Sequence, residues 1–324
     1  MTYGRIDTHQ HALPPALKRW LVDHGHLPPK GGPPWANWDR SRTLEFMDSN
    51  DIVAAVLSAP APSSRFGDMK TAQQGVRVFN EGLASVVAEN PARFGFFAYL
   101  PIAYPALAVS EAAYAFDQLG ADGVLTMTNA AGCYLGDVMF DQIFSELNDR
   151  HAVVFTHPNA LPGTQVETPA VPIWIADFML DTTRAALNLI ASGSLDRAPN
   201  VSVILPHGGG FLPYIAGRLL VAAEIGAAPD ADAICRHLPR FYYDTAGPMS
   251  PYSTPSLLQA TAVSQILFGS DWHQLPAESI SNAIRNLDKD PLLDASSRTE
   301  IYRDNALRLL PRLAQRIDDA RQLR

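Results

Sequence analysis

His9 and His11 close the apolar run Arg5-Ile6-Asp7-Thr8-His9-Gln10-His11, two imidazoles separated by one residue. A β-strand points alternate side chains to one face, so both rings can address a single ion at the strand's end. Neutral imidazole is the commonest protein ligand of a catalytic divalent metal. Three further segments place a potential ligand directly after a short β-type run: Phe155-Thr156-His157-Pro158, Leu205-Pro206-His207-Gly208-Gly209-Gly210 and Phe268-Gly269-Ser270-Asp271-Trp272. Histidines and an aspartate around an open position form a catalytic zinc or manganese site that leaves room for water or substrate. If His9, His11, His157 and Asp271 are the metal ligands, His207 is left beside them as an acid/base group; the alternative is a structural histidine on its glycine turn.

The elements that must position these residues follow from periodicity. Eight β-branched or aromatic runs recur as strand candidates: Gly4–His9, Val53–Ala59, Phe94–Leu100, Gly123–Thr128, Val153–His157, Val201–Pro206, Phe241–Asp244 and Ile266–Gly269. Between them lie segments with helical spacing of apolar residues, among them Thr71–Glu89, Pro105–Leu119, Met139–Arg150, Ile173–Ser192 and Pro213–Ile225. Alternating strands and helices imply parallel βα units, and eight of them predict a (β/α)8 TIM barrel over residues 1–324 as a single domain. An open doubly wound sheet is the alternative, but Ile6-Asp7-Thr8-His9 is not its glycine fingerprint. All the candidate ligands then sit on the C-terminal rim, where barrel active sites are built.

The proline- and glycine-rich stretch His11–Arg40 reads as a long insertion loop after the first strand, on that same rim. Trp35 and Trp38 within it either close over a flat substrate or pack the loop onto the barrel. Ala277–Leu287 and Ser297–Leu310 read as helices completing the ring, and the charged tail Arg312–Arg324 as a surface helix or a frayed end.

With 47% apolar and 18% charged residues the chain reads as globular, and no apolar stretch is long enough to span a bilayer. A net charge of −8 without basic clusters argues against nucleic acid and anionic membranes as partners. The start carries neither a basic leader nor an apolar signal core, and Cys133 and Cys235 form no disulfide or zinc-ribbon spacing, so the expectation is a cytoplasmic protein with reduced thiols.

His9-Gln10-His11, His157-Pro158, His207-Gly208-Gly209-Gly210 and Gly269-Ser270-Asp271 together resemble the metal-dependent decarboxylase branch of the amidohydrolase superfamily, typified by 2-amino-3-carboxymuconate-6-semialdehyde decarboxylase. The likeness runs from about Arg5 to Trp272. Phe46-Met47-Asp48, Arg93-Phe94-Gly95-Phe96-Phe97, Tyr134-Leu135-Gly136-Asp137 and Asp181-Thr182-Thr183-Arg184-Ala185 are more similar to 6-methylsalicylate decarboxylase-type proteins. The resemblance implies one metal ion per chain on His9, His11, His157 and Asp271, with His207 serving catalysis. Binuclear members bridge two metals with a modified lysine at the end of the fourth strand; here that strand reads Gly123-Val124-Leu125-Thr126-Met127-Thr128-Asn129, with no lysine or glutamate, so a mononuclear site follows.

The resemblance also implies a homodimer in which Arg218, on the segment begun by Pro213, reaches the neighbouring subunit's site and grips a substrate carboxylate; an arginine on a barrel helix can equally be an interface or surface ion-pair partner. His273 stands where related decarboxylases commonly carry proline, and reads either as a pocket wall or as a polar loop residue.

The reaction implied is non-oxidative decarboxylation of a salicylate-type hydroxybenzoate. Direct loss of carbon dioxide would leave an unstabilised aryl anion, so the ring carbon must be protonated first, and Asp271 is the first candidate for the acid, supplied by His207 or water. The scheme needs no organic cofactor. A metal-dependent hydrolase of an ester, amide or lactone would use the same ligands, with Asp271 taking the proton of attacking water. A barrel that only binds is the third reading.

Overall fold

The computed structural model describes residues 4–32, 34–59, 68–163, 171–228, 230–247 and 249–323. Eight parallel strands form one sheet: β1 (Arg5–His11), β2 (Ile52–Ser58), β3 (Phe94–Tyr99), β4 (Gly123–Met127), β5 (Val153–His157), β6 (Ser202–Leu205), β7 (Tyr242–Asp244) and β8 (Ile266–Leu267). Each pairs with the next in sequence order, and single hydrogen bonds return β8 to β1, Thr8 N–H donating to the Phe268 carbonyl (2.9 Å) and Asp271 N–H to that of His9 (2.9 Å). The architecture is the predicted (β/α)8 barrel. The strands are buried almost throughout because helices cover their outer faces, which is why they read as continuous apolar runs rather than alternating ones.

Side-chain size sets how the barrel fills. Phe97 and Phe155 meet with ring centroids 5.4 Å apart, and Phe155 in turn supports His9 at 4.8 Å. Gly123 makes room for this stack, since a Cβ there would lie 3.0 Å from the Phe97 ring and 2.6 Å from the Val153 carbonyl oxygen.

The outer helices start where the chain supplies caps. Asp39 accepts from Arg42 N–H ahead of the helix Arg40–Ser49, and Asp68 from Thr71 N–H ahead of Met69–Glu89. Met69–Glu89 buries Ala72, Val76, Phe79, Leu83 and Val86, a stripe at helical period turned to the sheet. The stretch His11–Arg40 differs from the expected loop: Pro15–Asp23 is a helix and Pro34–Asn37 a 3₁₀ turn, while Pro33 lies outside the described residues. Leu17 and Leu21, four apart and fully buried, supply the driving force, and Pro15 occupies the first turn, where its missing N–H costs nothing. The tail is the helix Pro311–Gln322, held by buried Leu313 and Ile317 and by an Arg316–Asp122 ion pair of 2.8 Å.

Among the described residues no helix is long and apolar enough to cross a membrane. Truncation of the fully buried Phe97 to alanine should lower stability by about 3–5 kcal/mol, because it opens a cavity under the site. The check is urea unfolding, where the midpoint should fall at unchanged slope.

Candidate metal centre and active site

The rim gathers five of the predicted residues. β1 ends in His9 and His11, both fully buried with ring centroids 5.1 Å apart. β5 ends in His157, whose ring lies 5.9 Å from that of His9 and 5.0 Å from that of His11. His207 and Asp271 come from the turns after β6 and β8, and both occupy left-handed backbone conformations, φ 56° and 58°. L-residues seldom adopt these angles, and they persist only where the surroundings over-determine them. The turn at His207 requires the glycines after it: Gly209 and Gly210 also have positive φ, and a Cβ on Gly209 would lie 2.7 Å from the Tyr243 ring.

Hydrogen bonds at Nδ1 fix what the Nε2 atoms can do. His9 Nδ1 lies 2.8 Å from an Asp244 carboxylate oxygen, which only accepts, so Nδ1 carries the proton. His157 Nδ1 donates to the Pro158 carbonyl at 3.0 Å. Ser58 Oγ donates to the Gln10 carbonyl, and is left to accept from His11 Nδ1 at 3.1 Å. With each ring neutral, as a metal ligand must be, the three Nε2 lone pairs therefore converge. His9 and His11 Nε2 are 3.3 Å apart, and Asp271 Oδ1 stands 3.5 Å and 3.1 Å from them. Such a cluster of lone pairs and a carboxylate, buried and without donors between them, needs a cation. Asp271 Oδ1 is buried with no hydrogen-bond partner, as a ligand atom should be. The residues present fit one divalent-metal site.

Two overlapping triads share His9, namely His9, His11 and His157, and His9, His207 and Asp271. His207 differs from the other three histidines in that its Nδ1 is buried without a partner, whereas a ligating imidazole is normally oriented through its second nitrogen. Its Nε2 lies 3.7 Å from Asp271 Oδ2. This geometry suits a group that exchanges a proton with Asp271 or a substrate.

The ionisation pattern reports the same demand for positive charge. Burial opposes protonation of His9, yet the Asp244 and Asp271 carboxylates outweigh it and raise its pKa to about 8. His11 and His157 are pushed down, chiefly by burial, and for His157 next by the neighbouring histidines. For Asp271 burial favours the neutral acid, but the surrounding imidazoles of His11, His207 and His9 hold its carboxyl well below the usual carboxylate range.

The other predicted residues lie apart from this cluster or at its edge. Arg218 is exposed on the helix Leu212–Glu224. Trp35 and Trp38 are half-buried against the hydrophobic core. His273 abuts Trp272, which is itself stacked on Phe46 at 4.1 Å and donates to Thr43 Oγ at 3.2 Å.

Sequence reasoning overlooked Asp244, Ser58 and Asp7. Asp244 and Ser58 end β7 and β2, and their position at a strand's C-terminal end was the available signal. One Asp244 oxygen takes the His9 ring proton, while the other accepts the His207 backbone N–H (2.8 Å) and that of Ala246 (3.0 Å). Asp7 lies in the quoted motif itself, but nothing in the spacing marks its contacts.

The chain matches the Amidohydrolase family across residues 6–312. It is 33% identical to decarboxylase yanB of Aspergillus niger, over 97% of this chain and 89% of that protein. It is 32% identical to the 6-methylsalicylic acid decarboxylase of Penicillium expansum, over 98% of this chain and 99% of that one. The solved structure of an amidohydrolase II superposes with a TM-score of 0.85 at 31% identity, covering 95% of this chain and 99% of the other. With the metal-binding rim described above, these matches along nearly the whole length mean that the chain belongs to the amidohydrolase family, in its decarboxylase branch.

Proposed function

We propose that this chain is a metal-dependent, non-oxidative decarboxylase of salicylate-type aromatic acids, working as one barrel domain over residues 1–324. The observation that carries the reading is the buried cluster of three convergent imidazoles and Asp271 with His207 3.7 Å from that carboxylate. Relatives described as decarboxylases, one of them for 6-methylsalicylic acid, support the reaction class. His9, His11, His157 and Asp271 are assigned as ligands of one ion. Zinc suits three imidazoles and a carboxylate, and manganese is the alternative. Bound there, the ion would supply positive charge to stabilise an ortho-phenolate and a carboxylate oxygen.

The proton path runs through the chain's own residues. Asp271 rests ionised, so it must first take a proton, and the nearby His207 Nε2 is its donor. Asp271 then protonates the ring carbon that bears the carboxylate. The bond to the carboxylate breaks, carbon dioxide leaves, and its electron pair restores the aromatic ring. The net change is one proton consumed for each carbon dioxide released. Trp38, whose buried indole N–H has no partner among the described residues, is assigned to the substrate side with Trp35 and His273 as pocket walls.

A homodimer is supported by the surface around Arg218. The helix Leu212–Glu224 is rich in apolar residues, yet buries only Leu212 and Pro213. Tyr214 is 81% and Ile225 74% exposed, and Trp174, on a turn packed against the same neighbouring helix, is 55% exposed. An apolar area of this kind marks an interface. The net charge of −8 argues against nucleic acid as a partner, and the free thiols Cys133 and Cys235 suit a reducing cytoplasm.

Elemental analysis should find about one divalent ion per chain; two tightly held ions, or none, contradict the site. Asp244→Ala should raise the metal dissociation constant about 10–100-fold, measured by chelator competition, because His9 loses its orienting partner.

The reaction is tested on a panel of hydroxybenzoates. Carbon dioxide should be released, and in deuterium oxide the product should carry deuterium at the vacated carbon. Asp271→Asn should nearly abolish turnover, since an amide cannot relay the proton. Hydrolysis of esters or lactones with no carbon dioxide from any panel member would assign the site to a hydrolase instead.

For assembly, chains carrying Arg218→Ala are mixed with chains carrying Asp271→Ala. Recovered activity is expected if the arginine serves the neighbouring site. A dimer without recovery confines Arg218 to its own subunit or to the interface.

A further inference from the structure

β1 is irregular along both of its edges, towards β2 and, at the seam, towards β8. Along β1, Asp7 pairs with Ala55 but Gln10 with Leu57, so one extra residue is accommodated between them. Across the seam, Thr8 N–H bonds the Phe268 carbonyl and His11 N–H that of Trp272, three residues opposing four. A bulge of this kind takes backbone groups out of the ladder and re-aims the side chains beside it. The N–H groups displaced here are those of His9 and Ser270, next to two residues of the metal-binding rim.

Both find the same acceptor. Asp7 Oδ1 takes the His9 N–H at 3.1 Å and the Ser270 N–H at 3.0 Å, while Asp7 Oδ2 takes the Gln10 side-chain amide at 2.8 Å. Asp7 is fully buried, so these donors have no water to turn to. The clamp acts one residue before Asp271, whose φ of 58° must be imposed from outside. Gly269 lets the two segments close on each other, since a Cβ there would lie 2.9 Å from that of His9.

We propose that Asp7 is a positioning residue: by accepting two displaced backbone N–H groups at the β1–β8 bulge it fixes the orientation of Asp271 relative to His9 and His11. The inference rests on the decarboxylase reading for its kinetic consequence, but not for its effect on metal affinity. What matters is the acceptor, not the charge. Asparagine at position 7 retains one oxygen for both N–H groups, and the Gln10 side-chain oxygen, buried without a partner, can turn to receive the new amide. Serine at position 7 is too short to reach across.

The test compares Asp7→Asn with Asp7→Ser. Metal affinity is read by chelator competition, and kcat and KM at saturating metal. Asp7→Ser should weaken metal binding about tenfold and lower kcat about a hundredfold with KM little changed, the cost of a misplaced acid. Asp7→Asn should stay within about fivefold of the parent in both measures. A folded Asp7→Ser protein with parental metal affinity and kcat overturns the proposal. So does a loss in Asp7→Asn as large as that expected of Asp7→Ser, and that arm decides the matter should Asp7→Ser not fold. A parent that releases no carbon dioxide sinks the decarboxylase reading alone, because the metal-affinity comparison still stands.

Discussion

Closure of the parallel sheet on itself is the constraint from which the site follows. Only when β8 reaches β1 does Asp271 come within 3.1 Å of His11, and only a barrel brings the end of β5 to the same place. Parallel strands all point their C-terminal ends to one rim, so polar residues placed there by four distant segments meet without any loop having to carry them across the molecule. The wall beneath is dry and aromatic, with Phe155 against His9 and Phe97 behind it. In such surroundings a carboxylate or an imidazole keeps its charge state only if its neighbours hold it there.

Three aspartates divide that work, Asp7 and Asp244 fully buried and Asp271 partly open. Asp271 faces the cluster, Asp244 stands behind His9, and Asp7 lies beneath the bulge. Asp244 gives one oxygen to a ring nitrogen of His9 and the other to the backbone of the His207 turn, so both share one anchor. Among the described residues none of the three carboxylates is hydrogen-bonded by a lysine or arginine. Their partners are mainly backbone amides and imidazoles, donors that lose little freedom on ordering, with the Gln10 side-chain amide and the Ser270 hydroxyl added at Asp7.

The barrel was legible because both of its signals are local. Strand runs carry β-branched and aromatic residues, helices carry a 3.6-residue stripe, and both survive in the bare sequence. The four histidines were legible because each closes or follows a strand run, a position with chemical meaning once the fold is assumed. Asp244 was hidden by its ordinariness, an aspartate after Tyr242-Tyr243 whose role depends on a ring brought in by residue 9. Asp7 was hidden because a bulge is a property of two strands, and register between the ends of the chain leaves no trace in either end alone. The helix Pro15–Asp23 was obscured by the prolines around it, although the Leu17–Leu21 spacing was present.

Gly269 and the bulge it permits bear on the order in which the protein acquires its parts. Asp7 and Ser270 are partners 263 residues apart, a separation that makes their contact among the last to be rewarded as the chain collapses. Strands β1 to β7 can pair in sequence, each on the edge left by its predecessor, while His9 and His11 wait on an open sheet edge. Synthesis must pass residue 271 before the carboxylate reaches those imidazoles. Assembly of the full cluster is thus a late event that arrives with closure of the sheet, and the same step removes the exposed edge through which a half-made barrel could pair with another chain.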